Sequence, residues 1–273
     1  MERLYDVPIR PPQGGSYDYL DTLNYSELAW EYLRRNPDYQ RDFANLTTPI
    51  QKPDILPSGH RVWQAPDLSA PDLSTTVSHW GLWPLVDPRL SALDAPICWL
   101  PDTGAAVLTA TATRAPVAAE ADLGLNNLSC VRHIVVRKDG VQCLLAHNTD
   151  LSIALQIQGD RIVDAPINVT FQLHRLHCAT KTGLWLSKLP GLLATPQRHI
   201  CFTPRRKNLR DALIAFDGHL AGAQYRDVAY LIFGRAEVTA AWSKSNRRMK
   251  DSVIRSLERG RDLVRGGYLR LMS

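Results

Sequence analysis

The pattern of apolar positions divides the chain into helix-like and strand-like stretches. Near the start, the apolar residues of ELAWEYLRR recur at helical spacing, which predicts a helix over about residues 26–35. Asn36 and Pro37 end that helix and can begin another, because asparagine is a favoured N-cap and proline is tolerated at the first helical position. Residues 1–48 are therefore predicted to form a small helical module with its own aromatic core, separate from the rest of the chain.

Strand-like alternation dominates the middle of the chain. VRHIVV and VQCLLA flank Asp139-Gly140, a dipeptide that favours tight hairpin turns. LSIALQIQ, RIV and VTFQL follow, and they predict that an antiparallel meander continues through a β-rich domain of residues 80–204. Residues 49–79 contain many Pro, Asp and Ser residues without periodicity, which predicts a Pro-rich linker ahead of that domain.

Helical spacing returns in residues 205–273. NLRDALIAFDGHL and YRDVAYLIF each gather apolar residues on one face, and a glycine follows each of them. A longer basic helix is predicted within RRMKDSVIRSLERGRDLV. The complete pattern predicts an α+β fold with a small helical N-terminal module, a central β-rich meander and a C-terminal all-α helix-turn-helix module.

Ala229 and Gly234 mark the predicted helix-turn-helix. A small residue midway along one helix permits a close crossing with the next, and a glycine permits a positive φ in the turn. The spacing is irregular, because Gly234 stands too far from the basic helix for a single tight turn. Segment 236–242 is therefore either an inserted helix or the DNA-reading element itself.

Charge is distributed unevenly along the chain. Residues 205–273 hold 15 Lys and Arg against 7 Asp and Glu, a net charge of +8, whereas residues 1–204 hold the other 17 and 20, a net charge of −3. A basic terminal module on a mildly acidic body is typical of nucleic-acid binding. The expected partner is double-stranded DNA, although a basic helix also leaves RNA open.

The predicted basic helix places Arg248, Ser252, Arg255 and Arg259 at intervals of four, three and four residues, which puts them on one face. Arginine binds guanine edges and phosphates through two parallel hydrogen bonds. A solvated face balanced by acids is the alternative, but nine bases face only three acids between residues 243 and 270. The candidate DNA-binding residues are Lys244, Arg247, Arg248, Lys250, Ser252, Arg255 and Arg259.

Other classes of protein fit the sequence less well. No apolar run approaches the roughly 18 residues that a membrane span needs, and the N-terminus lacks an apolar signal region, so a cytoplasmic location is expected. Five cysteines without CxxC spacing predict reduced, buried thiols. His174, His177 and Cys178 lack further ligands for a metal, and no P-loop, GxSxG or His-x-x-Arg pattern occurs. We expect no enzyme activity, cofactor or metal.

Two stretches resemble known bacterial regulators. NLRDALIAFDGHLAGAQYRDVAYLIFG, Trp242 and RSLERGRDLVRGGYLRLM resemble a domain with a variant helix-turn-helix that occurs in activators and antiactivators of excision and transfer of integrative and conjugative elements. YDYLDTLNYSELAWEYLRRNPDYQRDF is similar to a short transcriptional regulator-like domain found with it. The resemblance covers residues 16–45 and about 80–273.

The resemblance implies a regulator of mobile-element genes, most simply a DNA-binding activator that contacts RNA polymerase or another regulator. The alternative is an antiactivator that sequesters another regulator without binding DNA. The presence of both domains favours the activator. The operator, the oligomeric state and the inducing signal stay open.

Overall fold

The structure is a computed structural model that describes residues 17–46, 50, 52–66, 71–173, 178–194, 198–241 and 248–272. The helices are α1 (Tyr25–Leu33), α2 (Pro37–Ala44), α3 (Pro71–Trp80), α4 (Ala179–Ala194), α5 (Pro204–Leu220), α6 (Tyr225–Phe233), α7 (Arg235–Ala241) and α8 (Arg248–Val264). The strands are β1 (Asp54–Ile55), β2 (Arg61–Gln64), β3 (Ala106–Arg114), β4 (Val131–Val136), β5 (Gln142–His147), β6 (Ser152–Gly159) and β7 (Ile167–Gln172). The predicted α+β class is confirmed.

The N-terminal helices begin where the sequence indicated. The Asn36 side chain accepts hydrogen bonds from the backbone N–H groups of Asp38 and Tyr39, and Pro37 is the first residue of α2. The Asn24 side chain caps α1 by accepting a hydrogen bond from the Glu27 backbone N–H. The Glu27 carboxylate in turn accepts a hydrogen bond from the Asn24 backbone N–H. Local side chains therefore satisfy one free backbone N–H group at the start of α1 and two at the start of α2.

The seven strands form one sheet in the order β1-β2-β4-β5-β6-β3-β7. Strands β4, β5 and β6 form the predicted antiparallel meander, and the Asp139-Gly140 hairpin is present, with Gly140 at a φ of +85°. The continuation of the meander was wrong, because β3 lies between β6 and β7 and pairs in parallel with β6. Residues 161–163, expected to be a strand, lie in the loop before β7.

The predicted linker contains ordered secondary structure. Residues 49–79 include β1, β2 and most of α3, and β2 pairs in parallel with β4 in the middle of the chain. Val62 and Trp63 are buried within the sheet's two cores. Strands β1 and β2 are two and four residues long, which is too short for a periodic pattern, and β2 is stabilised by pairing with the distant β4.

The N-terminal module and the C-terminal helices share one hydrophobic core, so the expected separation of the two ends was wrong. The core includes residues of α1, α2, α5 and the last turns of α8. Tyr32 donates a hydrogen bond to the Leu209 carbonyl oxygen of α5 at 2.5 Å, and Asn36 donates to the Val264 carbonyl oxygen of α8 at 2.9 Å. A fragment without the N-terminal module would therefore expose apolar faces of α5 and α8.

Three cysteines fit the expectation of buried thiols, namely Cys98, Cys130 and Cys143. Cys178 is exposed and Cys201 is partly exposed, and all five are free. Burial raises the pKa of the Cys130 thiol to about 11, which keeps it protonated near neutral pH. The buried cysteines therefore act as small apolar residues in the sheet cores.

Candidate nucleic-acid interface

Helices α5, α6, α7 and α8 build the C-terminal module around a second, smaller helical core. Ala229 of α6 is fully buried there, together with Val253 and Leu257 of α8. Gly234 joins α6 directly to α7 with a φ of +88° and a ψ of 149°, a conformation that is essentially restricted to glycine. The helix that follows the glycine is α7, so the basic helix α8 is not the immediate partner of this turn.

Replacing Gly234 by valine is expected to lower the free energy of unfolding by about 2 kcal/mol, because a β-branched residue must adopt a strained backbone there. The space around the glycine is open, so the loss would come from the backbone and not from a clash. Denaturant unfolding gives the measurement. Ala236→Val, an exposed change two residues further on, is the control and should cost less than about 1 kcal/mol.

Gly260 sets the distance between α5 and α8. A Cβ atom placed on Gly260 would lie 2.5 Å from the Ala212 carbonyl oxygen and 3.0 Å from the Phe216 Cβ atom. The helices therefore cross at a point where a side chain does not fit. This contact fixes α8 on the module and so determines where the neighbouring arginines project.

The exposed face of α8 carries the arginines that the spacing predicted. Arg248, Arg255 and Arg259 are exposed, and Ser252 is partly exposed on the same face. We call Arg248, Arg255 and Arg259 the arginine stripe. The buried residues of α8, including Val253 and Leu257, lie on the opposite face.

Lys250 does not lie on that face. At about 100° per residue, Lys250 projects about 140° to 180° around the helix from the three arginines of the stripe. Its Nζ atom lies 5.8 Å from the ring centroid of Tyr225 in α6. The structure therefore divides the predicted DNA-binding set between two sides of α8. Two further members, Lys244 and Arg247, lie outside the described residues.

Part of the basic charge is used within the chain. Arg206 is buried and donates to the backbone carbonyl oxygens of Leu23 and Thr149. Arg210 Nη1 lies 2.6 Å from the Asp21 carboxylate of the N-terminal module. The net charge of residues 205–273 therefore overstates the charge that faces solvent, and a residue count cannot make this distinction.

Other cations of the module are exposed. No carboxylate of the described residues lies within 4.0 Å of the guanidinium groups of Arg226, Arg235, Arg255 or Arg259. Arg226 and Arg235 lie on α6 and α7, and neither arginine is among the predicted DNA-binding residues, although most of segment 236–242 lies in α7. The alternation of arginines and tyrosines in YRDVAYLIFGR was the sequence signal that could have indicated these two residues.

A buried ionic network ties the N-terminal module to this interface. Arg35, in the turn between α1 and α2, binds Asp217 of α5 through Nε–Oδ1 and Nη2–Oδ2 contacts of 2.7 and 2.8 Å. Burial alone would raise the pKa of Glu31, but Arg34 and Arg35 outweigh it and lower the pKa to about 2. Glu31 is therefore ionised near neutral pH, and its contribution to stability would be lost only as the pH falls from about 4.5 towards 2.

The described part of the chain contains no group of three or more His, Cys, Asp or Glu residues arranged to hold a metal ion. His174 and His177 lie outside that part. Among the described helices, none is long and apolar enough to cross a membrane. The exposed arginines of the helical module suit an anionic polymer such as nucleic acid.

Comparison with known proteins also indicates a nucleic-acid-binding protein. Residues 167–273 match the family model described as "T6SS, Transcription factor, DNA binding domain". Residues 12–83 match the model described as "Proteobacterial transcriptional regulator-like domain". No curated protein matches the chain. The chain is a transcriptional regulator with a DNA-binding domain, and that domain match covers β7 and all helices from α4 to α8.

Proposed function

We propose that the chain binds duplex DNA through the exposed face of α8 and thereby controls transcription. The observation that carries this proposal is the arginine stripe, which stands opposite the buried face of a 17-residue helix. Such a helix is about 25 Å long at about 1.5 Å per residue, and the major groove of B-DNA admits an α-helix. Arg255 and Arg259 would contact bases or phosphates, and Ser252 lies one turn before Arg255 on the same face.

The first experiment is to recover and sequence the genomic fragments that the full-length protein binds, and then to titrate a recovered fragment with stripe variants. Arg255→Ala and Arg259→Ala should each weaken binding by about 1–3 kcal/mol where the arginine reads a base. A phosphate contact would instead give a loss that is similar for all sequences. The triple variant that also carries Arg248→Ala should show the largest loss.

Arg265→Ala is the matched control, because Arg265 is an exposed arginine at the end of the same helix but on a different face. It should bind like the unmodified protein. Circular dichroism and thermal melting should be unchanged in all of these variants. Unchanged binding by the triple variant would exclude α8 as the contact surface.

At the level of genes, we propose that the protein activates excision or transfer genes of an integrative and conjugative element, from within the cytoplasm. This rests on the resemblance of the NLRDALIAFDGHLAGAQYRDVAYLIFG and AWEYLRRNP blocks to regulators of such elements. The N-terminal module is the proposed contact for RNA polymerase or another regulator. A promoter reporter tests this: deletion of the gene should lower expression, whereas deletion of an antiactivator would raise it.

A further inference from the structure

Two arginines stack on one tyrosine ring where α6 meets α7. The guanidinium carbons of Arg226 and Arg235 lie 5.6 and 5.3 Å from the ring centroid of Tyr230. Tyr230 is half-buried and is therefore held by the module's core, whereas both arginines are exposed. A guanidinium that stacks on a ring keeps the N–H groups at its edge available for hydrogen bonds.

A third cation extends this surface. Lys250 of α8 lies 5.8 Å over the ring of Tyr225, which is 40% exposed and adjoins Arg226. We call Tyr225, Arg226, Tyr230, Arg235 and Lys250 the tyrosine-platform surface. Within the part of the chain that the structure describes, none of its three cations has a carboxylate within 4.0 Å. The neighbouring Asp227 instead caps α6, accepting from the Gln224 backbone N–H at 3.3 Å.

The tyrosine-platform surface and the arginine stripe project in different directions. Lys250 approaches α6, so the opposite side of α8, where the stripe lies, points away from α6. Arg226 and Tyr230 in turn lie away from the buried side of α6, which is formed by Val228, Ala229 and Ile232. A straight duplex bound to the stripe therefore does not also reach the tyrosine-platform surface. The DNA would have to bend around the module to contact both.

We propose that the tyrosine-platform surface binds the phosphate backbone of duplex DNA, at a segment separate from any that the arginine stripe contacts. Phosphate suits it because two forked guanidinium groups lie beside one ring and an ammonium group lies over the ring of Tyr225, and none of the three has a carboxylate of the described residues within 4.0 Å. Tyr230 is a positioning residue, because it orders the two arginines without itself contacting DNA. This inference rests on DNA binding by the chain, but it does not require that the stripe makes the contact.

The test uses the full-length protein and fluorescein-labelled duplexes of mixed sequence, one short and one several helical turns long. Binding constants are measured over a range of salt concentrations. The double variant Arg226→Gln/Arg235→Gln should make the slope of log K against log salt less negative by about 1.8 on the long duplex, because each lost phosphate contact removes about 0.9. On the short duplex the slope should change less.

Tyr230 variants test the positioning role separately. Tyr230→Phe keeps a ring under both arginines and should retain the slope of the unmodified protein, whereas Tyr230→Leu should lose part of it although both charges remain. Arg114→Gln, an exposed change on β3, is the charge control and should leave the slope unchanged. Circular dichroism establishes that each variant is folded.

The outcomes separate this inference from the proposed function. If Arg255→Gln/Arg259→Gln weakens binding while the Arg226→Gln/Arg235→Gln slope equals that of the unmodified protein, the tyrosine-platform surface does not bind DNA and α8 does. If only the Arg226→Gln/Arg235→Gln variant loses slope, the second surface stands and the assignment of the stripe is overturned. If the unmodified protein shows no salt-dependent binding to either duplex, both are overturned.

Discussion

Replacing Asp217 by alanine is expected to lower the free energy of unfolding by about 3–5 kcal/mol. The change removes both contacts to the fully buried Arg35 and also the acceptor for the Tyr17 hydroxyl, which donates to Asp217 at 2.8 Å. Glu31 would then be the carboxylate left to balance both Arg34 and Arg35 in this buried network. An uncompensated buried charge is among the most destabilising consequences of a single substitution.

Thermal unfolding of the full-length protein measures this loss, and the melting temperature should fall by about 10 °C. Arg41→Ala is the control, because Arg41 pairs with Asp38 on the surface, where both side chains are more than half exposed. Such a pair contributes less than about 1 kcal/mol. Equal melting temperatures for the Asp217 and Arg41 variants would show that the buried pair does not hold the two ends of the chain together.

Replacing Gly260 by valine is expected to lower the free energy of unfolding by about 3 kcal/mol. The new side chain would meet the Ala212 backbone, so α5 and α8 would have to separate. Gly260→Ala should also destabilise the protein, by about 1–2 kcal/mol. A loss of stability here would be opposite to the usual effect, since exchanging glycine for alanine within an exposed helix normally stabilises the helix by up to about 1 kcal/mol. DNA affinity should fall with stability, because Arg259 adjoins the crossing point.

Gly183→Ala is the matched control for this prediction. Gly183 lies within α4, where a Cβ atom would meet no neighbour within 4 Å. It should therefore raise the free energy of unfolding slightly while Gly260→Ala lowers it, as measured by urea unfolding. A gain in stability for Gly260→Ala would mean that α5 and α8 do not cross as closely as described.

Local signals in the sequence determined much of the fold. Asn36-Pro37 positioned α2, Asp139-Gly140 positioned the hairpin, and the predicted bounds 225–233 are those of α6. Each signal depends on residues a few positions apart. The position of β3 between β6 and β7, and the Arg35–Asp217 pair across 182 residues, depend on tertiary pairing that no local pattern contains.

In the candidate site, too, the local sequence pattern predicted some features and tertiary packing determined the others. Helical spacing correctly placed Arg248, Arg255 and Arg259 on one exposed face, because a long helix fixes the angle between its residues. It did not show that Lys250 approaches a different helix, or that Arg210 is paired with the N-terminal module. Whether a basic residue faces solvent depends on what packs beside it, and a count of charges contains no such information.

The shared core also has a consequence for biosynthesis. Tyr268 donates to the Trp80 carbonyl oxygen at 3.1 Å and packs beside Trp99, and Leu271 lies in the same core as Leu20 and Leu33. A ribosome makes Leu271 on the order of tens of seconds after Leu33, at about 5–20 residues per second. Residues 77–99 can cover part of the apolar surface of α1 and α2 soon after it is made. The part of α1 that packs against Gly267–Leu271 stays uncovered on the nascent chain until those residues emerge, and it is a natural binding site for a chaperone during that interval.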